Sequence, residues 1–162
     1  MRDPAFTTSG DGKKIAKCSA TAVAIGTIDE LNAFVGLAKV HAKSEEIRNA
    51  LAKIQRMLFN VGAEVAGASR LSRELYDELL GMIEELEAKT KKPKSFLILE
   101  SDASTAFLSV ARAVARRAER EVIKLHFEGK VSDLVVDWLN KLSYFLYLAI
   151  LVEGENFEEV RE

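Results

Sequence analysis

The stretch that decides the fold runs from Ser44 to Gly67, SEEIRNALAKIQRMLFNVGAEVAG. Its residues Ile47, Leu51, Ile54, Leu58, Val61 and Val65 recur at spacings of 4-3-4-3-4. That is the period of one helix face; a strand would need alternation. Ser44 or Glu45 opens this helix, and Gly67 closes it as a C-cap. The same period returns on both sides. Upstream, Thr27-Ile28-Asp29-Glu30 reads as a capping box, with a helix to about Ala42 that turns Ile28, Leu31, Val35 and Ala38 inward. Downstream, Leu75, Leu79, Met82 and Leu86 mark a helix from near Ser72 to Thr90-Lys91-Lys92-Pro93. Phe107, Ala111, Val114, Ala118, Val122 and Leu125 mark another from about Ala103 to Phe127, broken by Gly129. Ser132 caps the last, which is apolar on most sides from Leu134 to Val152 and therefore central or part of a subunit interface.

These segments predict an all-α protein, an antiparallel bundle of five helices of about 16–25 residues in a single domain over residues 1–162. Residues 1–26 are expected to be loop, 27–152 the five helices, and 153–162 an acidic, loosely held tail. Phe96-Leu97-Ile98-Leu99 is too short for periodicity to classify, and it is expected as a docked loop because no partner strand is evident.

Composition agrees. The 162 residues suit one domain that buries a core without staples. Apolar residues are 48% and charged residues 30%, which is globular and not disordered. Only 2 Pro and 9 Gly are present, too few for collagen-like or turn-dense all-β chains. The single cysteine, Cys18, excludes a disulfide framework and a Cys-built zinc site. A net charge of −2 argues against generic nucleic-acid binding. Met1 to Gly12 is polar, without a signal-peptide core. The longest uncharged run near the end, Leu142 to Val152, has 11 residues, too short to span a bilayer. The expected address is the cytoplasm, with no membrane partner.

Two constellations could carry chemistry. Arg112, Arg116, Arg117, Glu119 and Arg120 lie along about 12 Å of one helix, enough to lay several guanidinium forks along an extended polyanion. A solvated face with internal Arg–Glu pairs would use the same residues. The Thr8-to-Lys14 loop offers glycine-flanked N–H groups and lysines, as phosphate cradles do, although it is not a Walker A sequence. Asp29 and Asn32 sit near the start of the first helix. Asn140 interrupts the apolar last helix, where a polar side chain needs a partner. His41 and His126 have no ligand spacing, so no protein-held metal is expected. No Ser/His/Asp or Cys/His set can be assembled.

Taken together, the segments resemble the PduO-type ATP:cob(I)alamin adenosyltransferases. The resemblance rests on Gly26-Thr27-Ile28-Asp29-Glu30-Leu31-Asn32, Ile54-Gln55 with Leu58-Phe59 and Gly62-Ala63-Glu64, Phe96-Leu97-Ile98, Ala111-Arg112 with Arg116-Arg117-Ala118-Glu119-Arg120, and Leu139-Asn140-Lys141-Leu142-Ser143. It implies a five-helix bundle assembled as a homotrimer, with ATP, taken with Mg2+, and the corrinoid meeting between neighbouring subunits. It implies transfer of the 5′-deoxyadenosyl group of ATP to the cobalt of cob(I)alamin, with release of triphosphate. A corrinoid reductase or an adenosylcobalamin-dependent enzyme is an implied partner.

Carried over by motif, Arg116, Arg117, Glu119, Arg120 and Asn140 match nucleotide-binding positions. Asp29 and Arg112 match a pair that bridges subunits, and Lys17 a phosphate-contacting lysine. Ser9, Gly10, Asp11 and Gly12, followed by Lys13, resemble the family's nucleotide loop. Phe96 matches the aromatic that displaces the lower cobalt ligand. The sequence departs from the family where Ser9 replaces a Thr, where the loop is one residue shorter, and where Leu99-Glu100-Ser101 replaces Pro-Gly-Gly. Ser109 stands where a His is usual, and Tyr144 where an Asp is usual. A non-catalytic relative that binds nucleotide or corrinoid, and a purely structural helical module, are the competing readings.

Overall fold

A computed structural model describes residues 3–9, 12–91 and 93–160. Gly10 and Asp11 of the expected nucleotide loop, and Lys92, lie outside the described residues. The chain forms β1 (Phe6–Thr8), β2 (Lys14–Ala16), α1 (Ala20–His41), α2 (Glu45–Val65), α3 (Arg73–Glu87), β3 (Leu97–Ile98), α4 (Ala103–Phe127), α5 (Asp133–Glu153) and β4 (Glu158–Glu159). The five-helix bundle is as expected. α1 packs on α2 and α4, α4 on α5, and α5 on α3.

Four of the five helices begin where a small polar side chain supplies a cap; Ser132, expected to cap α5, stands at its start without a side-chain cap bond. Ser44 accepts from the Ile47 N–H at 3.4 Å and Ser72 from the Leu75 N–H at 3.4 Å. Asp102 opens α4 with a full capping box, its carboxylate on the Thr105 N–H and the Thr105 hydroxyl on the Asp102 N–H. Gly67, just past α2, has φ 95°, the left-handed turn that glycine takes without a Cβ penalty. All of the deciding stripe of α2 is buried. Trp138, Leu139, Leu142, Phe145 and Leu146 of α5 are fully buried, so its all-round apolarity is satisfied at the centre of one chain. Each such side chain adds about 1.5–3 kcal/mol of transfer free energy.

Three expectations need correction. First, residues 1–26 are not all loop. β1 and β2 pair as an antiparallel hairpin, Phe6 opposite Ala16 and Thr8 opposite Lys14. α1 then starts at Ala20, with Ser19 accepting from the Ala22 N–H at 3.2 Å. Thr27 is therefore mid-helix: its hydroxyl donates to the Val23 carbonyl at 2.8 Å, and no capping box forms there. The run Ala20-Thr21-Ala22-Val23-Ala24 hid this turn because it lacks apolar–polar contrast.

Second, Leu97 and Ile98 are a strand. Their partner is the tail, with Leu97 opposite Glu159 and Ile98 opposite Glu158. Third, that tail is tied down. Glu153 is buried, and its carboxylate accepts the Lys43 N–H at 2.7 Å, the Ser44 N–H at 2.8 Å and the Ser104 hydroxyl at 2.7 Å. A buried charge survives when its oxygens are filled in this way. Beside it, Lys43 and Asp102 pair at 2.6 Å. The hydrogen bond from Lys43, helped by the Thr105 N–H, holds the Asp102 carboxyl below its ordinary 3.8, and the same contact raises Lys43 above 10.5.

Candidate active site

α4 and α5 run side by side, and the segment from Pro93 to Leu99 crosses beside them. Between them opens a cavity of about 780 Å³, within the usual range for small-molecule sites. Arg112 and Arg116 of α4 line it, with Asn140, Lys141, Ser143, Tyr144 and Tyr147 of α5. Phe96, Leu97 and Leu99 belong to its third side.

The helical period explains the helix wall. Arg112 and Arg116 are one turn apart and share a face, while Ala111, Ala115 and Ala118 on the flank of that face are buried in the core. Arg116 is exposed, and among the described residues no carboxylate pairs with it. The guanidinium of Arg112 lies over the Tyr147 ring at 5.7 Å. Asn140, expected as a buried amide in need of a partner, is instead exposed at the cavity, and its Nδ2 donates to Glu119 Oε1 at 3.0 Å. That bond orients the amide across α4 and α5. The internal Arg–Glu pairing of a merely solvated face does not form. Arg117 turns about 100° away from Arg116 and pairs with Glu30 of α1. Arg117, Glu119 and Arg120 do not line the cavity.

Phe96 is 86% exposed, so it is not the plug of the bundle's end that its apolar neighbourhood allowed. Its carbonyl accepts the Val160 N–H at 2.9 Å. Phe96 lines the same cavity as Arg112 and Arg116.

Other expected site residues are not brought to this cavity within one chain. Ser9 closes the hairpin turn, its N–H and hydroxyl both donating to the Lys13 carbonyl at 2.8 and 3.0 Å. Gly12 takes φ 84° there. Lys17 extends the ladder through its N–H to the Ala5 carbonyl at 2.9 Å. None of Ser9, Gly12, Lys13 or Lys17 lines the cavity. Asp29 is exposed on α1 and makes no salt bridge with Arg112 in the chain.

Sequence reasoning passed over Tyr144 and Tyr147 as wall residues. Their signal was present: with Asn140 they mark the i, i+4, i+7 face where α5 stops being aliphatic. The Tyr144 hydroxyl is held by Glu87 of α3. Cations on a rigid face, an oriented amide and an aromatic rim suit an anionic ligand joined to a flat, largely apolar one.

Comparisons with known proteins agree with this chemistry. Corrinoid adenosyltransferase PduO of Salmonella typhimurium is 32% identical over 162 residues, covering 95% of this chain. The chain spans about half of that relative's length, 48%. A corrinoid adenosyltransferase of Bacillus subtilis is 30% identical, covering 91% of this chain and 84% of the relative. Among solved structures, a variant PduO-type ATP:corrinoid adenosyltransferase from Lactobacillus reuteri, complexed with cobalamin and ATP, superposes with a TM-score of 0.88 at 24% identity, over 98% of this chain and 95% of that one. A second variant, complexed with ATP, gives 0.85 at 25% identity, over 97% and 95%. The family model for cobalamin adenosyltransferases matches residues 2–153, the hairpin and all five helices, and the chain belongs to the cobalamin adenosyltransferase family.

Proposed function

We propose that this protein transfers the 5′-deoxyadenosyl group of ATP to the cobalt of a reduced corrinoid and releases triphosphate. The observation that carries this is the convergence of Arg112, Arg116 and Asn140 with the exposed Phe96 on one cavity. In the reaction the electron pair of Co(I) forms the Co–C5′ bond, and the C5′–O bond breaks with its pair leaving on the triphosphate. Cobalt is the nucleophile, so the protein needs no Ser, Cys or strong base. It needs positioning and charge, which an oriented guanidinium face supplies.

In this reading Arg116 takes phosphate oxygens, Arg120, one turn further along α4 and outside the cavity's lining, meets the far end of the triphosphate, Asn140 orients the nucleotide, and Glu119 fixes Asn140. Arg117 steadies α4 on α1 through Glu30. Phe96 presses on the corrinoid's lower face and favours a four-coordinate cobalt, which is easier to reduce. Mg2+ enters with ATP, carried on its phosphate oxygens. A corrinoid reductase, or the enzyme that consumes the adenosyl product, fits as a partner, and the cytoplasm fits as the location.

The assembly is a homotrimer in this reading. α1 exposes Val23, Leu37 and Val40, and α4 exposes Val110, an apolar surface that a neighbouring copy would cover. Asp29 and Arg112, apart in one chain, would meet across that contact. The hairpin, with Ser9, Gly12, Lys13 and Lys17, would then serve a neighbour's cavity. α5 no longer argues for a trimer, since its apolar surface is filled within the chain. Light scattering that gives a monomer at micromolar concentration would overturn the assembly.

The direct test is anaerobic incubation with chemically reduced cobalamin and ATP. The expected result is the absorption spectrum of the adenosyl product. ATP and corrinoid binding without product would instead assign a non-catalytic binding relative.

A further inference from the structure

Residues 154–160 lie beyond the stretch that the family model matches, which ends at 153. They nonetheless pair with the segment that forms the cavity's third side, without lining the cavity themselves. Glu153 anchors their start through three hydrogen bonds from Lys43, Ser44 and Ser104. At Gly154 a Cβ would lie 2.1 Å from the Phe157 ring and 2.8 Å from Thr105 Cγ2, so only glycine lets the chain fold back so closely. Asn156 completes the reversal at φ 56°, a left-handed conformation that Asn tolerates better than most. Phe157 then packs on the core, β4 pairs with β3, and the Val160 N–H bonds the Phe96 carbonyl at 2.9 Å.

We propose that residues 153–160 are a positioning latch for the cavity's corrinoid side: they fix the backbone at Phe96 and so set how its ring enters the site. This rests on the reading that Phe96 acts on the corrinoid. The reasoning is one of support. A two-residue ladder is a weak strand by itself, and Phe96 has almost no side-chain burial to hold it. The one element bonded to its carbonyl is anchored at the far end by a buried carboxylate. Among the described residues the latch makes no hydrogen bond or ion pair to Arg112, Arg116 or Asn140, so it serves the corrinoid half of the site and not the nucleotide half.

The test compares the full chain with a truncation after Gly154, which keeps the Glu153 anchor, and with Val160→Pro, which removes the donor to Phe96 at an extended chain end where the φ that proline imposes is tolerated. Val160→Ala, which keeps that N–H, is the control. Hydrogen exchange of the 96–99 peptide reads the latch without reference to activity. Both disruptive variants should speed exchange there and leave α4 and α5 protected. Corrinoid affinity should fall about tenfold on truncation and about three- to tenfold for Val160→Pro, the range of one hydrogen bond. ATP affinity should hold in both variants. The melting temperature should hold for Val160→Pro and fall modestly on truncation, which also removes the packing of Phe157. Val160→Ala should match the parent. Unchanged exchange at 96–99 on truncation overturns the latch. So does faster exchange with unchanged corrinoid affinity, and so does a joint loss of ATP affinity and melting temperature, which would make the tail ordinary scaffold. If the parent protein forms no adenosyl product, the activity reading falls while the exchange and binding measurements still decide the latch.

Discussion

The two sides of the cavity are built differently. Arg112, Arg116 and Asn140 stand on α4 and α5, helices of 25 and 21 residues whose inner faces are sealed in the core. Phe96 stands beside a ladder of two residue pairs and is 86% exposed. The face proposed to grip charge thus stands on long helices packed into the core, as a preorganised electrostatic site requires. The side assigned to the bulky corrinoid has few buried contacts, which is the signature of low local stability. Rigidity suits a leaving group that must be held still; compliance suits a large ring system that must enter and leave.

Four experiments would break or sharpen this contrast. The largest effect is expected from Glu153→Ala. Hydrogen bonds to a charged group are worth about 1.5–3 kcal/mol each, and three donors are orphaned, so thermal unfolding should show a loss of about 3 kcal/mol or more. ATP affinity should survive in the folded fraction, because the helix side is untouched. A loss below about 0.5 kcal/mol, the scale of a surface change, would mean that the tail is not anchored.

Arg116→Ala should weaken ATP binding by about one to two powers of ten, the range of a lost charge-assisted contact of about 1.5–3 kcal/mol. Its melting temperature should stay put. Calorimetry with unchanged ATP affinity would return the arginine face to solvent.

Phe96→Ala should alter stability by less than about 0.5 kcal/mol, against about 3–5 kcal/mol for a core Phe. What it should remove is the spectrum of base-off, four-coordinate Co(II) in the complex with ATP, together with the rate. Retention of that spectrum would take the corrinoid role away from Phe96.

The smallest effect is a pH dependence. Asp102 is held below 3.8 in the fold, so its contribution is present above that value and fades as pH falls through the lowered one. Lys43 is raised above 10.5, so its share is present below 10.5 and fades as pH rises further. The pair is exposed enough to be screened by salt. Asp102→Asn, which still caps α4, should flatten the acid limb of a melting-temperature profile; an unchanged limb would remove the pair from the balance.

Much of this was legible in residue order because it obeys a local period. α2 to α5 announced themselves by apolar spacing, Arg112 and Arg116 by their shared helical face, and Asn140 only as a polar break in an apolar helix, its exposure at the cavity unread. What was hidden was non-local or short. β3 has two residues and a partner sixty positions later that reads as acidic tail. α1 begins in a run of small residues with no face to read, and the Thr27-to-Glu30 motif mimics a helix start from inside one. Glu153 looked like the first charge of a loose end; only the fold shows which distant N–H groups it meets. Tyr144 and Tyr147 were readable as a wall but were outweighed by the apolarity of their helix.

The Glu153 anchor also orders events in time. Its carboxylate reaches backbone groups 110 and 109 residues earlier in the chain. During synthesis from the N-terminus, the turn between α1 and α2 is made early and must wait for nearly the whole chain before those donors are filled. The helix side of the cavity is complete once α5 has docked, whereas the Phe96 side closes only when residue 160 arrives. A contact of such long range is slow to find, because loop closure comes before any reward. The assembly line therefore finishes the charged half of the site first and the compliant half last, so an interrupted chain would carry a folded bundle with an unfinished mouth.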